Sequence, residues 1–142
     1  MQTRTIENYC KVIYIFDKGN GSFSKDISNY LGISKISVSL TLNKLKKEGY
    51  ITMQKYGKIK LTQKGKKLAQ KIIKRYLIIK QFLEIIGANK KTLEKEACAV
   101  EHSLSDDTIA KLSDFLNAIK NQKNLTKLST SLKQRYLNFF TY

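Results

Sequence analysis

Residues 24–61 read SKDISNYLGISKISVSLTLNKLKKEGYITMQKYGKIKL, and the pattern of this stretch decides the expected fold. Residues 24–31 have the apolar spacing of a short helix, with Ser24 as its N-cap and Gly32 as the residue that ends it. Ser34 then caps a second helix, KISVSLTLNKLKKEG. Two helices joined by a short turn that contains a glycine are typical of a helix-turn-helix.

The periodicity of the chain changes after this second helix, which would bury Val38, Leu42 and Leu45. Apolar residues then alternate with polar ones on both sides of Tyr56–Gly57, which is the pattern of a small β-hairpin. The alternating positions are Ile51, Met53, Ile59 and Leu61. A hairpin directly after a recognition helix forms a wing, so the sequence predicts a winged helix-turn-helix.

Helical spacing continues on both sides of this motif. Residues 5–17 predict a first helix, and Thr62 caps a long helix that ends at Gly87 and carries a wide apolar stripe. Three more helices are expected, over residues 91–104, 105–120 (capped by Ser105) and 124–142. The expected fold is therefore mostly α, with a domain boundary inside the long helix near Ala69.

The charge of the chain is strongly positive and unevenly distributed. The net charge is +16, and residues 1–80 hold 18 of the 27 Lys and Arg but only 4 of the 11 Asp and Glu, which gives them +14. An excess of this size implies a polyanionic partner, and nucleic acid is the most common one. A membrane surface is the alternative, although the long helix carries its cations at one end only. We therefore expect double-stranded DNA as the partner.

The sequence also indicates a cytoplasmic protein. No apolar run approaches the ~20 residues that a membrane-spanning helix needs, and the N-terminal MQTRTIENYC lacks the apolar segment of a signal peptide. Cys10 and Cys98 do not make a disulfide framework, so both are expected to be reduced thiols.

A recognition helix reads base edges in the major groove with residues near its N-terminus. The side chains expected there are Lys35, Ser37, Ser39, Leu40 and Thr41. The hydroxyl groups could bond several bases, and Leu40 could contact a thymine methyl group. Phosphate contacts are expected from the lysines that follow on the helix, the wing and beyond it: Lys44, Lys46, Lys47, Lys55, Lys58, Lys60, Lys64, Lys66 and Lys67. The alternative is that each lysine only forms part of a solvated face.

A second constellation lies in residues 96–106, EACAVEHSLSD. Cys98, Glu101 and His102 stand at i, i+3 and i+4, so they project from one face of a helix and could together bind a transition metal. The alternative is structural, because a helical cysteine is usually a small core residue and a Glu–His pair often lies on the surface. We expect no catalysis by Cys98 and His102, since the sequence offers no oxyanion loop, phosphate cradle or second base.

This segment resembles the metal-binding segment of the diphtheria-toxin-repressor and manganese-transport-regulator family. ENYCKVIY, DISNYLGIS, YGKIKLTQKGKKLA and FLEIIG are similar to that family in the same order, so that the resemblance covers roughly residues 5–120. It is closest to the short, two-domain branch, because the chain stops where longer members add a third domain. The resemblance implies a homodimeric, metal-responsive transcription regulator, with repression as the implied direction and metal-ion homeostasis as the role.

The resemblance also implies domain limits and a ligand set. Residues 1–70 would form the winged helix-turn-helix DNA-binding domain, and residues 71–142 the helical metal-binding and dimerisation domain. Glu101 and His102 match primary-site ligands, and Cys98 matches a position that is Cys or Glu in the family. Asn8 stands where the first-helix ligand is Asp or Met. Fe²⁺ or Mn²⁺ is the implied corepressor, and the thiolate shifts the preference away from Mn²⁺ towards Fe²⁺, Zn²⁺ or Co²⁺.

Several departures from the family pattern affect a second metal position. Tyr76, Lys80 and Glu94 stand where the family has His, Glu and His, and Lys11 replaces a first-helix carboxylate of the manganese branch. We therefore expect a mononuclear site, and a lysine ammonium could hold a nearby carboxylate without metal. A metal-independent winged-helix regulator with a relic metal site is the alternative, and a chelator would separate the two by its effect on DNA affinity.

Overall fold

A computed structural model describes residues 3–17, 19–54 and 57–121. Within these residues the chain forms six α-helices and one two-stranded antiparallel sheet, so the prediction of a mostly α fold is confirmed. The elements are α1 (Thr3–Phe16), α2 (Ser24–Leu31), α3 (Lys35–Lys47), β1 (Ile51–Met53), β2 (Ile59–Leu61), α4 (Gln63–Ile85), α5 (Leu93–Val100) and α6 (Asp106–Asn121). The predicted helix over 124–142 lies outside the described residues.

The helix-turn-helix forms as its turn residues dictate. Gly32 ends α2 at φ 64°, a left-handed conformation that glycine adopts without a steric penalty, and Ser34 caps α3 by accepting a hydrogen bond from the Ser37 amide at 3.2 Å. The prediction that Ser24 caps α2 is wrong. Phe23 has the extended backbone of an N-cap, and its carbonyl accepts from the Asp26 amide at 3.1 Å, so Ser24 is already helical.

The hairpin of the wing forms, with Ile51 opposite Leu61 and Met53 opposite Ile59. Met53 alone of these four is exposed, at 39%, because β1 leaves the core at its end. The segment before α2 adds a pairing that the sequence did not predict. Ser22 exchanges two backbone hydrogen bonds with Ile59, of 2.9 and 2.8 Å, and thereby ties the start of α2 to the wing.

The chain divides into two units, and the boundary between them falls between Ile73 and Lys74, within α4. The core of the first unit comes from α1, the helix-turn-helix, the wing and the start of α4. Gly65 brings α4 so close to the wing that an added Cβ would lie 2.2 Å from the Tyr50 carbonyl oxygen. Thr62 fixes the same junction, since its Oγ1 donates to Gly49 O at 2.7 Å and accepts from the Gly65 amide at 3.2 Å.

The second unit packs the rest of α4 against α5 and α6 around Ile79, Ala97 and Ile109. Ser105 caps α6 as predicted, by accepting from the Thr108 amide at 3.1 Å. The prediction that α5 extends to about Leu104 is wrong, because the helix ends at Val100, residues 101–103 form turns and Leu104 lies in a bend. Of the helices in the described ranges, none is long and apolar enough to cross a membrane.

Candidate nucleic-acid interface and metal site

The solvent face of α3 carries most of the residues that the sequence selected for base contacts. Lys35, Ser37 and Ser39 are exposed, whereas Thr41 is half-buried and its Oγ1 donates to Ser37 O at 3.0 Å. The core face of the same helix holds Val38, Leu42 and Leu45, each at most 1% exposed, as predicted. The helix therefore presents polar side chains to solvent while its other face anchors it in the first unit.

Two aliphatic side chains interrupt that polar face. Leu40 is 61% exposed, and Ile36, which the sequence analysis did not single out, is 75% exposed. The spacing contains the signal that would have revealed Ile36. It lies about 200° round the helix from Val38, on the side opposite the buried stripe.

The lysines on and after α3 differ in their surroundings. Lys44, Lys46 and Lys47 are exposed along the last turns of α3, and Lys58 is half-buried on the wing. Lys55 lies outside the described residues. Lys64 is engaged within the fold: its Nζ donates to Glu48 O at 2.9 Å and lies 4.0 Å from the centre of the Tyr50 ring. It neutralises the carbonyl end of α3, which the sequence reading had not foreseen.

The three metal-ligand candidates of the second unit meet at one carboxylate. Glu101 is fully buried, and its Oε1 lies 3.6 Å from Cys98 Sγ and 3.3 Å from His102 Nε2. The His102 side chain is 5% exposed, and Cys98 is half-buried. Although α5 ends at Val100, Glu101 keeps helical backbone angles (φ −54°, ψ −29°), which explains why the i, i+3, i+4 grouping persists beyond the helix.

A buried arginine holds the turn that carries Glu101 and His102. Arg75 is 8% exposed; its Nε donates to Glu101 O at 2.9 Å, and its other nitrogens bond Leu104 O and the Asp106 carboxylate. Arg75 was not predicted from the sequence, although it stands in the apolar stripe of α4, between Ile72 and Ile79. An arginine at i+3 of such a stripe indicates a buried polar partner, because a charged group is rarely buried without one.

The donor set fits a transition metal in chemical type, since a thiolate, a carboxylate and an imidazole are all ligands of such ions. In the ranges 3–17, 19–54 and 57–121, however, no three His, Cys, Asp or Glu side chains are arranged so that they could hold an ion as they stand. Cys98 Sγ and His102 Nε2 both contact Glu101 Oε1. Asn8 belongs to the first unit, where it is half-buried on α1, and its place in the site stays a prediction.

Two of the positions that depart from the family pattern, Lys80 and Glu94, form an ion pair. Lys80 Nζ lies 3.0 Å from Glu94 Oε1, so a lysine ammonium does hold a carboxylate here, as the sequence suggested it could. The hydrogen bond to Glu94 raises the pKa of Lys80, with smaller contributions from Tyr76 and Glu84. Lys80 therefore stays charged at neutral pH, and its ammonium is paired with the Glu94 carboxylate.

Comparisons with known proteins cover both units. Residues 1–59 match the model of the iron-dependent repressor N-terminal DNA-binding domain, and residues 62–124 match that of the iron-dependent repressor metal-binding and dimerisation domain. The chain is 31% identical to the HTH-type transcriptional regulator MntR of Geobacillus thermodenitrificans, over 95% of this chain and 96% of the relative. It is 36% identical to an uncharacterized HTH-type transcriptional regulator of Methanocaldococcus jannaschii, over 84% and 98%.

Solved structures agree with this result. The metal-dependent transcriptional regulator MtsR superposes with a TM-score of 0.73 at 28% identity, over 82% of this chain and 55% of that one. The manganese regulator SloR superposes with a TM-score of 0.70 at 29% identity, over 79% and 53%. The chain thus spans about half the length of these two solved proteins. With both of its halves matched in order, the chain belongs to the iron-dependent repressor family of transcriptional regulators.

Proposed function

We propose that this protein is a metal-responsive, DNA-binding transcription regulator that represses genes of metal-ion homeostasis. The observation that carries the proposal is the solvent face of α3, where polar and cationic side chains are exposed. A buried stripe on the other face anchors the helix, and the wing follows it directly in the chain. That arrangement suits insertion into the major groove. The protein acts as a homodimer in the cytoplasm, and it regulates transcription without catalysing a reaction.

The DNA contacts divide along α3. Residues of its first turns read base edges, and later lysines bind phosphates and so make the affinity fall with salt. The base-reading set is Lys35, Ser37, Ser39, Leu40 and Thr41, and the phosphate-binding set is Lys44, Lys55 and Lys58. A homodimer carries two such helices, which suits two half-sites about one helical turn apart.

Cys98, Glu101 and His102 hold one divalent transition metal, and Asn8 remains the predicted further ligand. When bound, the ion would link Cys98 of α5 to Glu101 and His102 of the α5–α6 connection. The donor set accommodates Fe²⁺ and Mn²⁺, and its thiolate favours Fe²⁺, Zn²⁺ or Co²⁺ over Mn²⁺. The site is mononuclear, since Lys80 and Glu94 neutralise each other. Regulation follows when the DNA-bound form binds the ion more tightly than the free form.

A binding titration tests this function. Metal-free protein is titrated with a random-sequence duplex pool and then with sequences enriched from it, at stated salt, with Fe²⁺, Mn²⁺, Zn²⁺ or a chelator. We expect salt-dependent retention that the ion strengthens, and loss of this response in the double variant Glu101→Gln/His102→Ala. Glu96→Gln, an exposed position on α5, is the matched control and should respond as the unaltered protein does.

The second candidate function is a regulator that needs no metal. The observation in its favour is that, in the part of the chain that the structure describes, no three His, Cys, Asp or Glu side chains are arranged to hold an ion. It predicts the same affinity for DNA in chelator as in metal, and the same affinity for the double variant.

A further inference from the structure

The two most exposed large hydrophobic side chains among the described residues lie on one helix, one turn apart. They are Ile36, at 75%, and Leu40, at 61%, both on α3. Residues at i and i+4 are neighbours on a helix surface, so the two side chains form one continuous aliphatic ridge. We call this pair the α3 ridge.

The α3 ridge is not part of the hydrophobic core. Val38, Leu42 and Leu45 already fill the core side of α3 with at most 1% exposure, and the ridge points the opposite way. Aliphatic surface in water is unfavourable, and a solvent-facing helix position readily takes a polar residue instead. Two such side chains side by side therefore indicate a partner that covers them.

The surroundings of the ridge identify the chemistry of that partner. Short hydroxyl side chains, Ser37 and Ser39, lie on its two sides, so that the aliphatic groups stand forward of them. The exposed lysines Lys44 and Lys47 lie on the same solvent side of the helix. An apolar ridge inside a cationic surface suits a polyanion that offers an apolar group, and in duplex DNA the C5-methyl group of thymine is the one apolar group on the major-groove edge.

We propose that Ile36 and Leu40 pack against thymine methyl groups and so determine which sequences this protein prefers. The proposal rests on the DNA-binding function proposed above and adds the basis of its specificity. It requires T·A pairs in each half-site where the first two turns of α3 enter the groove. Methyl contact would then select the site, in place of the guanine recognition that an arginine provides.

Replacing thymine by deoxyuridine tests the proposal, because it removes the methyl group and keeps the hydrogen-bonding edges. A duplex enriched from a random pool by the unaltered protein serves as the probe, and its thymines are replaced one at a time. We expect at least one replacement in each half-site to lower the affinity about 4-fold, which corresponds to ~0.8 kcal/mol for one buried methyl group.

Variants then assign the effect to the ridge. Ile36→Ala and Leu40→Ala should bind the thymine duplex more weakly than the unaltered protein does. Each variant should also lose the higher affinity for the thymine duplex over the deoxyuridine duplex, as expected for groups in contact. Ile15→Ala, at an exposed apolar position on α1, should keep that advantage in full. Thermal unfolding should be unchanged in the ridge variants, because both side chains lie in solvent.

The possible results separate the ridge from the DNA-binding function itself. If the protein binds duplexes but no deoxyuridine replacement matters, the ridge proposal is refuted and DNA binding stands. If the ridge variants alter the oligomeric state while the thymine preference persists, the ridge contacts protein and the proposal is equally refuted. If no duplex is retained at any salt, the proposed function fails first.

Discussion

Replacement of Arg75 tests how the turn that bears Glu101 and His102 is stabilised. We consider Arg75→Met, which keeps the aliphatic length of the side chain and removes the guanidinium. The variant loses three contacts of the guanidinium: the hydrogen bonds to Glu101 O and Leu104 O, and the ion pair with Asp106. Glu101 is fully buried, Leu104 is half-buried, and the Asp106 side chain is 67% exposed.

The magnitude follows from the burial of each partner. Loss of the partner of a buried carbonyl costs about 1–3 kcal/mol, and the half-buried carbonyl should cost less because water can reach it. The exposed Asp106 pair adds at most about 1 kcal/mol, since solvent screens it. We therefore expect the free energy of unfolding to fall by about 2–4 kcal/mol. The free energy of unfolding of Arg75→Lys should lie between those of the unaltered protein and Arg75→Met, because an ammonium cannot reproduce the planar fork that reaches three acceptors.

Urea unfolding followed by far-UV circular dichroism measures this change. Lys74→Met, the exposed neighbour on α4, is the matched control and should change the free energy of unfolding by no more than about 0.5 kcal/mol. If Arg75→Met were as stable as that control, the turn would be held by other contacts, and the role given to Arg75 would be wrong.

Further predictions concern three single positions, Gly65, Cys10 and Cys98. Gly65→Ala should lower the free energy of unfolding by about 2 kcal/mol despite the better helix propensity of alanine, since the new Cβ would lie 2.2 Å from Tyr50 O; equal stability in thermal melts would contradict that packing. Burial raises the pKa of Cys10 to about 12, so native protein at pH 8 should be alkylated by iodoacetamide at Cys98 and not at Cys10, as peptide mass spectrometry can check. That folded-state pKa lies above the ordinary value of 9.0, so the contribution of the neutral Cys10 thiol to the free energy of unfolding is fully present below pH 9 and is lost between pH 9 and 12. In unfolding titrations, Cys10→Ala should lack this part of the pH dependence. Zn²⁺ should slow the alkylation of Cys98, and an unchanged rate at saturating Zn²⁺ would remove the thiolate from the ligand set.

The winged helix-turn-helix could be predicted because its signals are local. Gly32 supplies a left-handed backbone, Ser34 supplies a side-chain cap, and the buried stripe of α3 follows from helical spacing alone. The pairing of Ser22 with Ile59 could not be predicted, because it joins residues 37 positions apart through backbone groups that every residue has.

The sequence predicted the three side chains of the candidate metal site, but not the arginine that holds the turn beneath them. The spacing of Cys98, Glu101 and His102 placed them together, and the helical backbone at Glu101 preserved that grouping. Arg75 escaped notice because the sequence around it is rich in Lys and Arg, so that one buried cation reads as part of a solvated face. Its burial depends on the α5–α6 connection, which is distant in the sequence.

The coupling between metal and DNA is the central claim, and calorimetry measures it directly. The affinity for one divalent ion, Mn²⁺ or Zn²⁺, is determined for the protein alone and for its complex with an enriched duplex, at one salt concentration. We expect tighter ion binding in the complex, by the same factor by which the ion strengthens DNA binding, because the two effects are thermodynamically reciprocal. Equal ion affinity with and without DNA would contradict the account.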